Sequence, residues 1–402
     1  MAGHHKTFTD DPKVDPGVVK KAFTAAIAVG GLGLIASGAA IAMGEELRRQ
    51  FFFSYLVAFM LCLTIALGAL FFTIIHHLTR ATWSTGLRRI AENLAGTLPV
   101  LAVLFLPILL GLHDLYHWSH EAVPAHDPLI RHKSGYLSTS FWVIRAVVFF
   151  GLWTAIALFF RRNSVKQDET GDTALTFKMR KWAPVSTLIF ALSISFAGFD
   201  WMMSLDPHWF STMFGVWTFA GSMVSFFAAL GLAGLWLTKK GALAKTLTVG
   251  NFHDIGKLLF GFIVFWAYIS FSQYYLIWYA NIPEETAWYL HRTHEGWDNI
   301  FSLIIGGHFI LPFALLMSRH LKRRRAVLGL ACGWMVLMHW VDLYYVIMPT
   351  LQHHLHFHWL DVTTVLGVGG VFVAFFVRQF GKDAAVAHRD PQLIASMEYD
   401  NA

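Results

Sequence analysis

Ionisable side chains inside otherwise apolar stretches are the residues of this sequence that could do chemistry. Arg145 and Asp200 lie within two consecutive apolar stretches, and His113, Asp114 and His117 follow the end of an earlier one. A charge within a membrane costs free energy unless it is paired or hydrated. Histidine and carboxylate side chains can accept the protons released when a quinol is oxidised. The five residues are therefore predicted to form a quinol or proton site, with Arg145 and Asp200 within the distance of a salt bridge or of one bridging water.

A purely structural interpretation of these residues stays open. An arginine–aspartate pair can simply hold two helices together, and histidines at the end of an apolar stretch can be its hydrated boundary.

A second polar group occurs later in the chain and is predicted to belong to a proton path. His339 and Asp342 are three residues apart, so they share one helix face. His308 lies near the middle of its apolar stretch, four residues before Pro312. Because proline has no N–H, the His308 carbonyl loses its helical donor, and a water held there could relay protons. A proline kink beside a packed histidine is the alternative.

Redox metals are not indicated by the sequence. Cys62 and Cys332 both lie in apolar stretches and form no haem-attachment or iron–sulfur motif. His339 and His353 have the spacing of a b-type haem pair, but Pro349 lies between them. We therefore expect no metal or covalent cofactor on this chain, with a quinone or quinol as a possible ligand.

The elements that position these residues are membrane-spanning helices. The chain is 56% hydrophobic and 14% charged, whereas soluble domains carry about 25% charged residues. Spanning the hydrocarbon core takes about 20 apolar residues. Ten stretches qualify: Ala22–Met43, Phe51–Ile75, Ala91–Leu112, Thr139–Phe160, Trp182–Met203, Phe210–Leu237, Leu258–Tyr279, Ile300–Met317, Ala326–Met348 and Leu360–Phe380. The sequence predicts an all-α integral membrane protein, with a membrane domain over residues 22–380.

Basic residues predict the orientation of the helices. Of the 31 Lys and Arg residues, 25 fall on the side of both chain ends, 5 on the other side, and Arg145 within the membrane. The positive-inside rule then makes residues 1–21 and 381–402 cytoplasmic tails. This distribution accounts for the net charge of +6 without a nucleic-acid partner. A cleaved signal peptide remains an alternative for the first stretch.

The composition of the outer loops predicts a docking surface. The His113–Ser138 and Ala280–Trp297 loops carry histidines, carboxylates and aromatic residues, which suits a partner outside the membrane; ordinary interfacial loops have a similar composition.

A transporter is the alternative from a second functional class. Ten helices with buried Arg, Asp and His also suit a proton-coupled transporter built from two helical repeats.

Two segments resemble a known family. Leu78–Asn93 (LTRATWSTGLRRIAEN) and Phe199–Gly215 (FDWMMSLDPHWFSTMFG) are similar to ActF, the second polytopic, NrfD/PsrC-like membrane subunit of bacterial alternative complex III. The resemblance extends over nearly the whole chain. It implies two four-helix bundles, at about 51–203 and 210–348, flanked by the first and tenth helices.

The resemblance implies a place in the respiratory chain. The chain is expected to be an inner-membrane subunit of a quinol:electron-acceptor oxidoreductase involved in electron transport and proton translocation. Haem c and iron–sulfur proteins on the outer face, a paralogous NrfD-like membrane subunit, lipid and quinone are the implied partners. Asp200 lies within the second segment, while a structural or proton-conducting role for the subunit remains an alternative to quinol oxidation.

Overall fold

The computed structural model describes residues 8–120 and 122–399, apart from the side chains of Pro124 and Ala125. Within these residues the regular structure is helical and contains no strand, and ten helices are long and apolar enough to cross a membrane. The predicted all-α, multi-pass membrane fold is thus confirmed. The helices are α1 Pro16–Ala42, α2 Glu45–Leu78, α3 Thr85–Leu110, α4 Thr139–Thr170, α5 Ala174–Leu205, α6 Phe214–Lys239, α7 Val249–Ala280, α8 Trp297–Met317, α9 Arg325–Thr350 and α10 Trp359–Phe380.

Both ends of the helical domain lie at one face, because the number of spans is even. We call the face where α1 begins and α10 ends the terminal face, and the opposite face the loop face. Several helices extend beyond the predicted apolar stretches, since their polar ends continue the helix into the interface. For example, α3 begins at Thr85, six residues before the predicted stretch.

The centre of the molecule is formed by α2 and α6. In the most apolar part of each helix, 89% of the residues are buried in α2 and 78% in α6, whereas only 22% are buried in α1. Helices that are apolar on all sides are typical of such central positions. The two helices cross closely at Gly68, because a β-carbon at this position would overlap with the Ser222 carbonyl oxygen. From this centre α2 packs with α3, α4 and α5, and α6 packs with α7 and α9.

The first helix is held chiefly by the last one. Gly30 and Gly33 of α1 face Gly367 and Gly370 of α10, and a β-carbon on Gly30 would come within 2.7 Å of the Val371 nitrogen. Small residues let two membrane helices approach closely, so that van der Waals contact stabilises the pair. The other side of α1 is exposed, as at Ile35.

Buried ion pairs connect the helices and the C-terminal segment at the terminal face. Arg88 donates to Glu92 at 2.9 Å and to Asp390 at 2.7 Å, and Arg89 contacts Asp168 at 2.7 Å. Burial raises the pKa of the Asp390 carboxyl, but the charge of Arg88 outweighs this and leaves that pKa below its ordinary value. The predicted C-terminal tail is therefore packed against α3 and α4 as far as it is described.

Candidate functional site

Arg145 and Asp200 form a closed ion pair between α4 and α5. The Arg145 Nε and a terminal nitrogen donate to the two Asp200 carboxylate oxygens at 2.7 and 2.9 Å. The guanidinium also donates to the Tyr136 carbonyl at 2.9 Å and lies 3.8 Å from the centre of the Tyr136 ring. The predicted salt bridge is confirmed. Because both carboxylate oxygens bind one guanidinium and Asp200 is fully buried, this geometry suits a structural pair better than a proton acceptor.

The three other residues of the first predicted site lie at the loop face instead. Asp114 contacts Arg48 at 3.0 Å, and His113 Nδ1 lies 3.0 Å from the Ser119 hydroxyl. His113, Asp114 and His117 line an open cavity of about 370 Å³. Among the described residues, neither Arg145 nor Asp200 lines this cavity. The five residues therefore occupy two places rather than one pocket.

The predicted proton-path residues come together between α8 and α9. His308 of α8 meets His339 and Asp342 of α9, with one donor or acceptor atom of each within 4.8 Å of the others. All three side chains are buried, His308 completely. We call these residues the buried triad. Chain spacing predicted the shared face of His339 and Asp342, and the packing of α8 on α9 adds His308.

The backbone around His308 is wound more widely than an α-helix. Residues Ile304–Ile310 form a π-helical segment just before Pro312. Such segments are rare and occur frequently at functional sites. The Trp334 indole N–H donates to the Gly307 carbonyl at 2.7 Å, so a side chain satisfies one backbone acceptor in this segment. Pro312 and Gly307 together explain why the helix departs from regular winding here.

Each member of the triad is held in place by a neighbour. His339 Nε2 lies 2.9 Å from the Thr64 hydroxyl of α2, and the Trp266 indole N–H donates to Asp342 Oδ2 at 3.0 Å. The His308 ring lies against Trp266, with ring centres 3.8 Å apart. These contacts come from α2, α7, α8 and α9, so the position of the site depends on the packing of four helices.

The triad retains unused hydrogen-bonding capacity. Both ring nitrogens of His308 and Nδ1 of His339 have no hydrogen-bond partner within the described part of the chain. Buried polar atoms are nearly always paired in proteins, so an unpaired group at such a position points to a role beyond packing. Neutral imidazole can both accept and donate a proton. The arrangement is therefore chemically able to hold and pass protons.

A narrow cavity runs from the triad towards the loop face. It measures about 70 Å³, and Asp342, Ser270 and Gln273 are among the residues lining it. Gln273 accepts from the Ser211 hydroxyl at 2.9 Å and donates to the Tyr289 hydroxyl at 3.1 Å. Ser270 and Gln273 lie three residues apart on α7 and form a polar ladder directed from mid-membrane to the surface.

A buried arginine lies at the outer end of this ladder. Arg292 is 2% exposed and donates to the backbone carbonyls of Trp288 and Val346 at 3.0 and 2.8 Å. Burial lowers the pKa of the Arg292 guanidinium to about 10, which leaves it charged at neutral pH. Tyr345 lines the cavity together with Asp342 and donates to the Arg292 carbonyl at 3.1 Å. A positive charge therefore lies on the loop side of the triad.

Arg292, Trp266 and Gln273 have no role predicted from the sequence. Gln273 was detectable, because with Ser270 it interrupts one face of an apolar stretch. Arg292 occurs four residues after Trp288, whose ring centre its guanidinium approaches to 3.7 Å. Trp266 gave no signal, since a tryptophan in an apolar stretch is ordinary.

The donor set of the triad also resembles a transition-metal site. Two histidines and a carboxylate can bind zinc. Here His339 Nε2 and Asp342 Oδ2 are already engaged by Thr64 and Trp266, which leaves one donor atom on each for a metal. His353, whose spacing from His339 matches a b-type haem pair, lies exposed in the loop after α9. The absence of a metal on this chain stays a prediction.

Comparison with known proteins supplies no family for this geometry. No protein-family model matches the chain, and no curated protein is similar to it in sequence.

Proposed function

We propose that the chain is a membrane subunit of a respiratory quinol:electron-acceptor oxidoreductase of the alternative complex III type. In this proposal it conducts protons through its second bundle and scaffolds haem c and iron–sulfur subunits at the loop face. The terminal face is then cytoplasmic, in the inner membrane. The observation that carries the proposal is the buried triad with its unpaired ring nitrogens, connected to the loop face by a polar ladder.

The size of the cavity favours proton transfer over quinol binding at the triad. A water molecule occupies about 30 Å³ in the liquid, and small-molecule pockets measure about 300–1,000 Å³. The cavity beside Asp342, at about 70 Å³, has room for a few waters and not for a quinol ring. A quinol ring would fit the cavity of about 370 Å³ at His113, Asp114 and His117, which is the place where a quinol site on this chain is best sought.

The proposed path uses groups that take and release protons in turn. His308 and His339 each offer a ring nitrogen that can accept a proton, and Asp342 can pass one along the Ser270–Gln273 ladder. The Arg292 charge raises the free energy of a proton close to it in either direction of transfer, since like charges repel more strongly where the surroundings are less polar. No electron moves through these residues in this scheme, and the redox centres belong to other subunits.

Replacing Asp342 by asparagine tests the proposal. Asparagine keeps the shape and the acceptor for the Trp266 N–H but cannot bind and release a proton. In the purified, assembled complex we expect quinol-dependent reduction of the acceptor to fall by a factor on the order of 10² per complex. Proton uptake and release should fall with it.

Asp361→Asn provides the matched control. Asp361 is also a buried carboxylate, but it lies on α10 and is hydrogen-bonded by Tyr344 and by the His358 backbone N–H. This variant should assemble less well and turn over normally. Unchanged turnover in Asp342→Asn would show that the triad does not conduct protons and would leave the chain with a structural role only. Proton flux driven by a solute in liposomes holding the chain alone would instead support the transporter alternative, and stoichiometric metal on the isolated chain would contradict the proton-path assignment.

A further inference from the structure

An apolar crevice shares no lining residue with the cavity beside Asp342. It lies in the half of the membrane domain nearest the terminal face and measures about 370 Å³. Its walls include Leu61 and Ile65 of α2, Trp236 of α6 and Phe372 and Phe376 of α10. It is therefore bounded by the two central helices and by the helix that holds α1.

The crevice is too large to be a packing defect. Protein interiors are close-packed, and voids larger than a water molecule are few. Apolar cavities of this kind stay dry and take up apolar ligands. Leu232 and Val373, at its edge, are 37% and 44% exposed, so the crevice opens laterally between α6 and α10. A β-carbon on Gly369, which also lines it, would meet no atom within 4 Å.

Basic side chains surround the end of the crevice at the terminal face. Lys21 precedes the lining residue Ala22, Lys239 and Lys240 follow Trp236 by less than two turns, and Arg378 follows Val377. At 1.5 Å per residue, each cation lies within about one or two helical turns of a lining residue. All are exposed, and none forms an ion pair within the described residues. Three helices thus bring basic side chains to the same end of the crevice.

We propose that the crevice and its basic rim bind an anionic phospholipid of the leaflet at the terminal face. One acyl chain lies in the crevice, and the phosphate lies among Lys21, Lys239, Lys240 and Arg378. Basic clusters next to membrane helices attract anionic lipids in this way. An isoprenoid quinone tail could fill the crevice but would leave the four cations without an anion. The inference is independent of the proposed respiratory function.

The test measures which lipid remains on the protein. The full chain, or the complex that contains it, is reconstituted in nanodiscs with equal amounts of phosphatidylglycerol and phosphatidylcholine, then released and weighed by native mass spectrometry. We expect phosphatidylglycerol to remain bound several-fold more often than phosphatidylcholine. No preference between the two lipids, or retention of only a phosphate-free isoprenoid, would overturn the proposal.

Two variants separate the chain-binding and phosphate-binding parts. Gly369→Phe places a ring in the crevice and should abolish retention of lipid. Its control is Gly151→Phe on α4, where a β-carbon also meets open space and retention should persist. The triple change Lys239→Gln, Lys240→Gln and Arg378→Gln should remove the preference for phosphatidylglycerol.

The charge control uses lysines of the same face. Lys166→Gln, Lys178→Gln and Lys181→Gln remove the same amount of charge from exposed positions that do not line the crevice. This control should keep the preference. Equal retention by Gly369→Phe and Gly151→Phe, with both proteins monodisperse and folded, would refute the crevice as the binding place. If both triple variants lose the preference for phosphatidylglycerol equally, the preference depends on the net charge of the protein and the proposed phosphate site is refuted.

Discussion

Single residues divide the polar interior into a closed pair and an open triad. Arg145 and Asp200 satisfy each other through two hydrogen bonds at 2.7 and 2.9 Å. The buried triad instead has three unpaired ring nitrogens within the described residues. Both sets consist of ionisable groups at membrane depth, so burial alone does not distinguish structure from function. The distinction lies in whether hydrogen-bonding capacity is left over.

Asp200→Asn should reveal a structural role for the first pair. Removing one charge leaves a buried guanidinium uncompensated, and breaking such a pair costs about 3–5 kcal/mol. We expect a lower yield of assembled complex and a lower melting temperature. Turnover per assembled complex should stay much closer to wild type than in Asp342→Asn.

The double variant Arg145→Met with Asp200→Leu is the companion measurement for this pair. Replacing both charges by apolar residues is often tolerated where removing one is not, so part of the lost stability should return. A fall of about a hundredfold in turnover per complex for Asp200→Asn alone would restore the proton-acceptor role that the sequence suggested.

At the scale of helices, close packing fixes the position of the triad. A β-carbon on Gly221 of α6 would lie 2.8 Å from Cε1 and 3.2 Å from Nδ1 of His339. Glycine therefore leaves room for the imidazole to reach Thr64. The site depends on a contact between α6 and α9 that no local spacing in the sequence expresses.

Gly221→Ala tests this contact. Alanine favours the helix by about 1 kcal/mol relative to glycine, so the helix itself should be preserved, but the added methyl group must displace the His339 ring. We expect turnover per assembled complex to fall, with a shift in the imidazole signals in nuclear magnetic resonance spectra of labelled histidine.

Gly231→Ala on the same helix is the matched control. There a β-carbon would lie 2.7 Å from the Cys332 sulfur, which is equally tight but lies about 15 Å along α6 from Gly221. Loss of stability without loss of turnover is the expected result. The same fall in turnover for both variants would attribute the effect to helix packing in general.

The sequence predicts features that depend on neighbouring residues and misses those that depend on how distant segments pack. The ten spans are visible in hydropathy, because every helix must be apolar along its own length. The Arg145–Asp200 pair is predictable since two costly charges on consecutive helices have few other partners. His339 and Asp342 share a face by their spacing. The joining of His308 to them depends on how α8 packs on α9, and the role of Arg292 depends on the fold of a loop, so neither has a local signature.

The whole molecule makes a prediction about sidedness. The ten helices place both ends of the helical domain at one face, and the distribution of basic residues predicts by the positive-inside rule that this face is cytoplasmic. The two native cysteines, Cys62 and Cys332, are buried, so the wild-type chain should give little background with a membrane-impermeant maleimide.

Single added cysteines provide the measurement of sidedness. In intact cells Glu285→Cys, in the loop after α7, should be labelled from outside, and Lys166→Cys, at the terminal face, should be labelled only after the membrane is opened. Labelling of Lys166→Cys in intact cells would reverse the orientation and place the triad's path on the cytoplasmic side.

The pairing of the first helix with the last has a consequence for biogenesis. As α1 depends chiefly on the glycines of α10, it enters the membrane long before its partner has been synthesised. More than three hundred residues separate Gly33 from Gly367, and contacts so distant along the chain form late. During that interval the glycine face of α1 is open to helices of other proteins. A chain that ends before α10 would therefore leave α1 without its main contact, and we expect such a fragment to be a substrate for membrane quality control.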